Sequence, residues 1–149
     1  MPVTTLDRTD RKILDLLQRD GRLANVELAE KVALSPSPCL RRVRALEEAG
    51  VVRQYVALLD PGKVGLALLA YVNVKLEKRG KMPIDDFSQS VQAWPEVVAC
   101  YSMTGDMDYL LRVQVENLDH YTRSMMERLL KQAGVIDVKS NFVLERIKD

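Results

Sequence analysis

The segment Leu34–Gly50, LSPSPCLRRVRALEEAG, constrains the fold more than any other part of the chain. It contains two Ser-Pro pairs, and each offers a helix cap followed by a proline at the first helical position. Ser35-Pro36 and Ser37-Pro38 remain alternatives for the start, whereas Gly50 is the expected end. The segment therefore predicts a short helix whose two ends are set by local chemistry.

The polar side chains of this predicted helix fall on one side. Ser37, Arg41 and Arg44 are spaced i, i+4 and i+7, which places them on one stripe, and no acidic residue precedes Glu47 in the segment. A neighbouring stripe that can pack inward holds Cys39, Val43 and Leu46. An arginine-rich outer face suits the major groove of DNA, and a solvated face of an ordinary amphipathic helix is the alternative.

Composition gives no independent sign of a nucleic-acid partner. The 149 residues are 47% hydrophobic and 29% charged, with a net charge of only +1, so a DNA site has to rest on local placement of charge. There is no apolar run of transmembrane length and no signal-peptide pattern, which predicts a cytoplasmic protein without a membrane partner. Cys39 and Cys100 are expected to be reduced thiols in the core rather than a disulfide.

The first part of the chain is predicted to hold three helices. Asp7 is expected to cap the first helix, which Gly21 ends. A second helix is predicted over Asn25–Val32, with Asn25 as its cap, and a turn at Ala33–Ser35 leads into the arginine-bearing helix. Two helices joined by a tight turn, with a preceding helix to complete the core, indicate a winged-type helix-turn-helix.

The rest of the chain alternates strands and helices. Val51–Asp60 is extended, Pro61-Gly62 marks a linker, and Lys78–Lys81 is a basic loop. The predicted strands and helices are Ala67–Glu77 (strand), Ile84–Ala93 (helix), Val97–Met103 (strand), Asp108–Val115 (strand), Leu118–Gln132 (helix) and a last strand within Val135–Ile147. This β-α-β-β-α-β order predicts a ferredoxin-like sandwich, whose uncovered sheet face requires a partner copy.

The predicted fold class is therefore α+β, in three parts. Residues 1–52 form the helix-turn-helix domain, residues 53–65 form an extended linker, and residues 66–149 form the ferredoxin-like domain. The sequence shows no Ser/His/Asp set, no Cys/His pair, no phosphate-binding glycine loop and no metal cluster, which argues against an enzyme.

The chain resembles the Lrp/AsnC family, the leucine-responsive and asparagine-responsive transcription regulators also called feast/famine proteins. The resemblance covers nearly the whole length, and its carriers are LDRTDRKILDLLQRDGR, NVELAEKVALSPSPCLRRVRALEEAGVV, VALLDP and TGDMDYLLRV. It implies a DNA-binding first domain and a second, amino-acid-sensing domain of the RAM type. It also implies homodimers that assemble into tetramers or octamers.

Seven side chains are the candidates for contact with double-stranded DNA. Arginine forms bidentate hydrogen bonds with guanine or phosphate, and hydroxyl groups at a helix start donate to phosphate. We expect Ser37, Arg41 and Arg44 to lie nearest the bases. The full candidate set is Arg22, Asn25, Ser35, Ser37, Arg41, Arg42 and Arg44.

The turn TGDMDY is the candidate site for a small amino acid. Asp106 or Asp108 would bind the ammonium group, and the amides of Gly105 and Asp106 would hold the carboxylate. By similarity to the family, the same pocket would also contain Arg128, Ser140 and Asn141, next to Met103 and Thr104. No other cofactor is expected. A plain hairpin turn is the alternative for this segment, and an amino-acid-binding assembly protein without DNA binding is the alternative for the whole chain.

Overall fold

A computed structural model of the protein describes residues 5–77 and 83–148. The chain divides into two compact units between Leu58 and Leu59, inside the predicted linker, and each unit is considered separately. The predicted basic loop Lys78–Lys81 lies outside the described residues. Within the described ranges no helix is long and apolar enough to cross a membrane.

The first helix, α1 (Arg8–Arg19), begins at the predicted cap. The Asp10 N–H donates to Asp7 Oδ1 at 2.8 Å, and the Asp7 N–H donates to Asp10 Oδ2 at 3.2 Å. This reciprocal pair is a capping box in which two aspartates satisfy each other's backbone donors. The prediction that Asp7 caps the first helix is confirmed.

The starts of the next two helices correct one cap and decide between two alternatives. Helix α2 spans Asn25–Lys31 with Ala24 as its N-cap residue, so the prediction of Asn25 as the cap is wrong. The Asn25 side chain instead donates from Nδ2 to the Pro36 carbonyl at 2.9 Å, which links α2 to the next helix. Helix α3, Pro36–Glu48, follows Ser35, so the first of the two Ser-Pro pairs is the start.

The turn between α2 and α3 is tight. Its Ala33 has φ +58°, a left-handed conformation that residues with a Cβ rarely adopt. The Leu34 N–H donates to the Ala29 carbonyl at 2.9 Å and closes the end of α2. Gly50, with φ +70°, ends α3 as predicted. The three helices enclose a core of Ile13, Leu28, Ala29, Val32, Cys39 and Leu46.

The second unit has the predicted β-α-β-β-α-β order. Its elements are β1 (Leu68–Leu76), α4 (Pro83–Gln92), β2 (Val97–Ser102), β3 (Tyr109–Val115), a helical segment in three parts, and β4 (Val135–Phe142). The four strands form one antiparallel sheet in the order β2-β3-β1-β4. A short 3-10 turn, Gly62–Val64, precedes β1.

The last helical segment changes its winding. It is α-helical over Leu118–His120 (α5), π-helical over Tyr121–Met126, and α-helical again over Glu127–Lys131 (α6). The Asn117 side chain caps its start by accepting from the His120 N–H at 2.8 Å. A single α-helix was predicted over Leu118–Gln132, and the π-helical middle is the difference.

Alternation along the central strands places the core on one face of the sheet. Val72 lies opposite Leu111 and Val74 lies opposite Tyr109, and all four side chains are buried. Both helical segments pack against this face, and the cluster comprises Ala70, Val72, Val74, Leu76, Phe87, Val91, Trp94, Tyr109, Leu111, Val113, Val115, Tyr121, Met125 and Leu129. The alternate residues point to the other face, which these helices leave uncovered.

Cys100 differs from its prediction. Cys39 is buried in the first core, where burial raises the pKa of its thiol, whereas Cys100 is exposed. Cys100 lies on β2, the strand at one edge of the sheet, where no strand follows beyond it. The expectation that both cysteines are core residues is therefore wrong for Cys100.

We expect Leu111→Ala to lower the free energy of unfolding by about 2–5 kcal/mol, because a fully buried leucine leaves a cavity when it is shortened. Leu130→Ala, at a side chain that is 71% exposed, is the matched control and should change stability by about 0.5 kcal/mol or less. Urea unfolding followed by circular dichroism measures both. Equal losses in the two variants would contradict the assigned core.

Acid should weaken the first unit through Asp7. The Asp10 N–H and the Arg42 guanidinium lower the pKa of Asp7 below its ordinary value of 3.8. A carboxyl group with a lowered folded pKa stabilises the fold above its unfolded pKa and loses that contribution as the pH falls through the folded value. We therefore expect the thermal midpoint of the wild type to fall more steeply below pH 3.8 than that of Asp7→Asn. Parallel curves would exclude this role.

Candidate nucleic-acid interface and effector site

The outer side of α3 presents a continuous polar stripe. A groove on this side is lined by Ser37, Leu40, Arg41, Arg44, Ala45 and Glu48. The three residues predicted to lie nearest the bases therefore share one surface. Leu40, exposed in the same groove, was not among the predicted site residues, although its i+3 spacing from Ser37 was a signal for it.

Arg41 and Arg44 are available to an external partner. Within the described ranges neither guanidinium takes part in an ion pair or side-chain hydrogen bond. Glu47, an acidic residue three positions after Arg44, accepts a hydrogen bond from the Tyr55 hydroxyl at 2.8 Å. Burial and that contact raise the pKa of Tyr55 to about 12. The stripe thus keeps two free positive charges.

Arg42 forms ion pairs within the chain, unlike Arg41 and Arg44. Its Nη1 lies 2.6 Å from Asp7 Oδ2 and 2.9 Å from Asp10 Oδ1, the two carboxylates of the α1 capping box. These contacts raise the pKa of Arg42. One guanidinium nitrogen of Arg42 is thus engaged within the chain and the side chain is 35% exposed, so it is less available to an external partner than Arg41 and Arg44 are. Its assignment to the DNA-binding set stays a prediction.

The start of α3 offers fewer backbone donors than an ordinary helix. Pro36 and Pro38 have no N–H, and the Cys39 N–H donates to the Ser35 carbonyl at 3.2 Å. Among the described residues this leaves the Ser37 N–H, together with the Ser35 and Ser37 hydroxyls, as donors in the first turn. Hydroxyl groups rather than a set of amides would therefore meet a phosphate here.

The two remaining candidates of the first unit have separate environments. The Arg22 side chain is exposed in the loop after α1, where its own N–H donates to Asp20 Oδ1 at 2.9 Å. The Asn25 amide nitrogen is occupied by Pro36, and its Oδ1 is buried without a partner in the described part of the chain. Arg22 is free to reach a partner, whereas Asn25 acts chiefly between α2 and α3.

The candidate effector turn connects β2 to β3. The Met103 N–H donates to the Asp108 carbonyl at 2.8 Å, which closes the turn. Thr104, Gly105 and Asp106 are exposed within it, and Gly105 has φ +110°, a conformation that requires glycine. The turn therefore exposes one carboxylate and a backbone that a ligand can approach closely.

Asp108 is committed to the fold. Its Oδ2 accepts from the Leu76 N–H at 2.7 Å, and its own N–H donates to the Val74 carbonyl at 2.9 Å. The carboxylate thus satisfies a backbone donor at the end of β1. Of the two aspartates proposed for an ammonium group, Asp106 is the one that is left available.

The structure does not bring the other predicted effector residues to this turn within one chain. Ser140 lies opposite Val72 and contacts the Tyr121 hydroxyl, and Asn141 points to the other sheet face. Both lie four to five residues along the sheet from the Leu76 end, about 15 Å away. The turn and these β4 residues are therefore separate surfaces of one copy.

Arg128 lies at the far end of β2 from the turn. It donates to Glu96 Oε2 at 2.9 Å and lies over the Trp94 ring, 5.5 Å from its centroid. Glu96 precedes β2, whereas the turn follows Ser102, about 20 Å along the strand. The pKa of Glu96 is lowered, since its own N–H and Arg128 outweigh the opposing effect of burial.

Family models match both units. The model described as Lrp/AsnC ligand binding domain matches residues 69–149, and the model described as winged helix-turn-helix DNA-binding matches residues 6–53. These two ranges correspond to the sheet unit and the three-helix unit. The similar proteins are named as regulators, and this protein is likewise not an enzyme.

Similar proteins cover nearly the whole chain. The leucine-responsive regulatory proteins of Escherichia coli and Salmonella typhimurium are each 42% identical over 147 residues, which is 99% of this chain and 90% of theirs. A solved transcriptional regulator/L-Met complex from Neisseria meningitidis is 50% identical, with a TM-score of 0.93 over 97% of this chain and 94% of that one. An AsnC family transcriptional regulator from Agrobacterium tumefaciens is 44% identical, with a TM-score of 0.89 and the same coverage. This chain, a helix-turn-helix unit followed by a ligand-binding sheet unit, therefore belongs to the Lrp/AsnC family of transcription regulators.

Proposed function

We propose that the protein binds specific double-stranded DNA sequences through the outer stripe of α3 and adjusts that binding in response to a small amino acid. The observation that carries the proposal is the pair of guanidinium groups, Arg41 and Arg44, that lie on one exposed stripe with Ser37 and form no ion pair with any residue that the structure describes. A helix with this arrangement fits the major groove. A cytoplasmic location, where the chromosome of a bacterial cell is accessible, belongs to the same proposal.

The proposed contacts divide into reading and anchoring groups. Arg41 and Arg44 present planar donors that match guanine O6 and N7, and the Ser37 hydroxyl reaches the same groove. The Ser35 hydroxyl and the exposed Arg22 side chain are suited to phosphate oxygens, which set the position of the helix without reading sequence. Arg42 is left out of both groups because Asp7 and Asp10 occupy it.

The proposed effector is leucine or another hydrophobic or sulfur-containing amino acid. Two relatives are named leucine-responsive regulatory proteins, and the solved regulator from Neisseria meningitidis is described as a complex with L-Met. In this chain the exposed Asp106 carboxylate suits an ammonium group, and the Gly105 backbone suits a carboxylate. Met103, 43% exposed at the edge of the turn, suits an apolar side chain.

We further propose that the effector site is completed only in an oligomer. Within one copy, Arg128, Ser140 and Asn141 lie about 15–20 Å from the turn, measured along the strands. A homodimer that assembles further, to a tetramer or octamer, supplies a second copy of each of these residues. The uncovered face of the sheet supports such pairing, since apolar side chains such as Leu110 stay partly exposed on it.

An amino-acid-binding assembly protein that does not bind DNA is the second candidate. The exposed sheet face and the effector turn would serve that function without α3. The free arginines of α3 favour the first candidate. Filter binding with duplex DNA at increasing salt separates the two, because a protein that neutralises phosphates shows a steep loss of affinity with salt and the alternative shows none.

Arg41→Ala and Arg44→Ala should each weaken binding to a duplex that the wild type has selected from a randomised pool. The expected loss is about 1–3 kcal/mol for an arginine that reads a base. Arg123→Ala is the matched control, because Arg123 is equally cationic but lies in the other unit and pairs with Asp119. Fluorescence anisotropy measures all three, and unchanged affinity in both α3 variants would remove these arginines from the site.

Calorimetric titration with each of the twenty amino acids should give heat for at least one hydrophobic or sulfur-containing member. Asp106→Ala should abolish that heat, because it removes the exposed carboxylate that pairs with the ligand ammonium group. Asp119→Asn, at an exposed aspartate of α5, serves as the control and should leave it unchanged. If the wild type gives no heat with any amino acid, the sensing part of the proposal fails.

A further inference from the structure

Arg42 joins the arginine-bearing helix to the start of α1. One guanidinium nitrogen contacts Asp7 Oδ2 at 2.6 Å and Asp10 Oδ1 at 2.9 Å, across 35 and 32 residues of sequence. The same two carboxylates already form the capping box. Charge-assisted bonds of this length are among the stronger polar contacts in proteins, and they are directional.

No other ion pair among the described residues of the first unit joins two helices. The remaining one, Arg19 with Asp15, lies within α1 and is exposed. The other contacts between the helices of this unit are mainly apolar, through residues such as Ile13, Cys39 and Leu46. This buried stripe sets roughly which side of α3 turns inward, and the Asn25 hydrogen bond to the Pro36 carbonyl holds its first residue. The Arg42 contacts add a directional restraint near the middle of the helix.

The rotation of α3 decides where its outer stripe points. Arg41, Arg42 and Arg44 belong to one helix. A small rotation of that helix about its axis therefore moves all three side chains together. A guanidinium held by two carboxylates of another helix opposes that rotation. The Asp10 side chain is 16% exposed, whereas Arg42 is 35% and Asp7 is 52% exposed, so Asp10 is the more protected of the two acceptors.

We propose that Arg42 is a positioning residue for DNA binding: through Asp7 and Asp10 it sets the rotation of α3, so that Arg41 and Arg44 meet the DNA in register. This inference rests on the proposed DNA-binding function. It assigns to Arg42 a role different from that of Arg41 and Arg44, because Arg42 acts through contacts within its own chain and contributes none to phosphate or base.

Asp10→Asn tests this proposal because the two possible roles of Arg42 predict opposite changes in affinity for the duplex. Asparagine keeps a side-chain oxygen that can accept the Asp7 N–H, but it removes one of the two charges that hold Arg42 and the only one that belongs to α1 itself. We expect binding to the selected duplex to weaken about tenfold, as for other coupled contacts. If Arg42 were instead a phosphate contact that Asp10 partly neutralises, the same substitution would release it and strengthen binding.

Asp15→Asn is the matched control. It removes the same negative charge from the same helix, at an exposed aspartate whose partner among the described residues is Arg19. Its affinity for the duplex should equal or slightly exceed that of the wild type, since less negative charge faces the DNA. An equal loss in Asp15→Asn and Asp10→Asn would overturn the proposal, because the effect would then reflect charge on α1 and not the link to α3.

The salt dependence provides a second, independent measurement. Arg42→Gln should bind about tenfold more weakly with an unchanged slope of log affinity against log salt, whereas loss of a phosphate contact lowers that slope by about 0.9. The double variant Arg42→Gln with Asp10→Asn should bind no more weakly than either single variant, since both break one link. A changed slope or additive losses would overturn the proposal.

Two checks distinguish the positioning role from a loss of folding and from a failure of the proposed DNA-binding function. Far-ultraviolet circular dichroism of the full chain establishes that each variant keeps its helices, and the mild Asp10→Asn variant decides the proposal if Arg42→Gln does not fold. If the wild type selects no duplex from the pool, the DNA-binding function fails and not this inference. If the wild type binds and Asp10→Asn binds more tightly, the inference fails alone.

Discussion

The capped start of α1 is the constraint on which the first unit depends. Asp7 and Asp10 each accept a backbone N–H of the other, and this arrangement places two carboxylates side by side at one end of the helix. Two adjacent carboxylates need a cation, and Arg42 of α3 supplies it. The capping box of α1 is thus joined to α3 through one of its three arginines, while Arg41 and Arg44 lie exposed on the outer side of the helix.

The second unit is organised by a different requirement, the alternation of its strands. Apolar residues at every second position of β1 and β3 bury one sheet face under the helices and leave the other face open. The turn after β2 is then tied to the end of β1 through Asp108. A firmly anchored turn with a few exposed groups is suited to meet a ligand held against another copy, but it does not enclose one by itself.

Much of this architecture could be predicted from the sequence because its signals are local. Proline, glycine and capping residues mark the helix ends, and period-two burial marks the strands, so the order of elements follows from short windows. The fate of Arg42 could not be predicted in this way. A helical wheel of α3 sets Arg42 about 100° from Arg41 and about 160° from Arg44, off their common stripe. It does not show what Arg42 contacts, because those partners lie more than thirty residues away.

Other differences have the same origin in contacts between distant residues. Asn25 has the chemistry of a cap, but its amide is drawn to the Pro36 carbonyl, and Ala24 takes the cap position. Cys100 has the apolar neighbours of a core residue, but its strand lies at the edge of the sheet, and strand order is set by the whole domain. Similarity to the family assigns the predicted effector residues to one pocket. Within one copy of the chain, those residues lie far apart.

The π-helical stretch Tyr121–Met126 has a consequence for how the chain tolerates changes of length. Tyr121, Met125 and Leu129 are all buried against the sheet at intervals of four residues. In an ideal α-helix each such interval overshoots a full turn by about 40°, so three successive residues drift around the axis. A wider π turn absorbs part of that drift and keeps the three in line. The alignment of these buried side chains therefore depends on the number of residues in the stretch as well as on their identity, and a one-residue deletion between Tyr121 and Met125 would shift Met125 and Leu129 together relative to Tyr121.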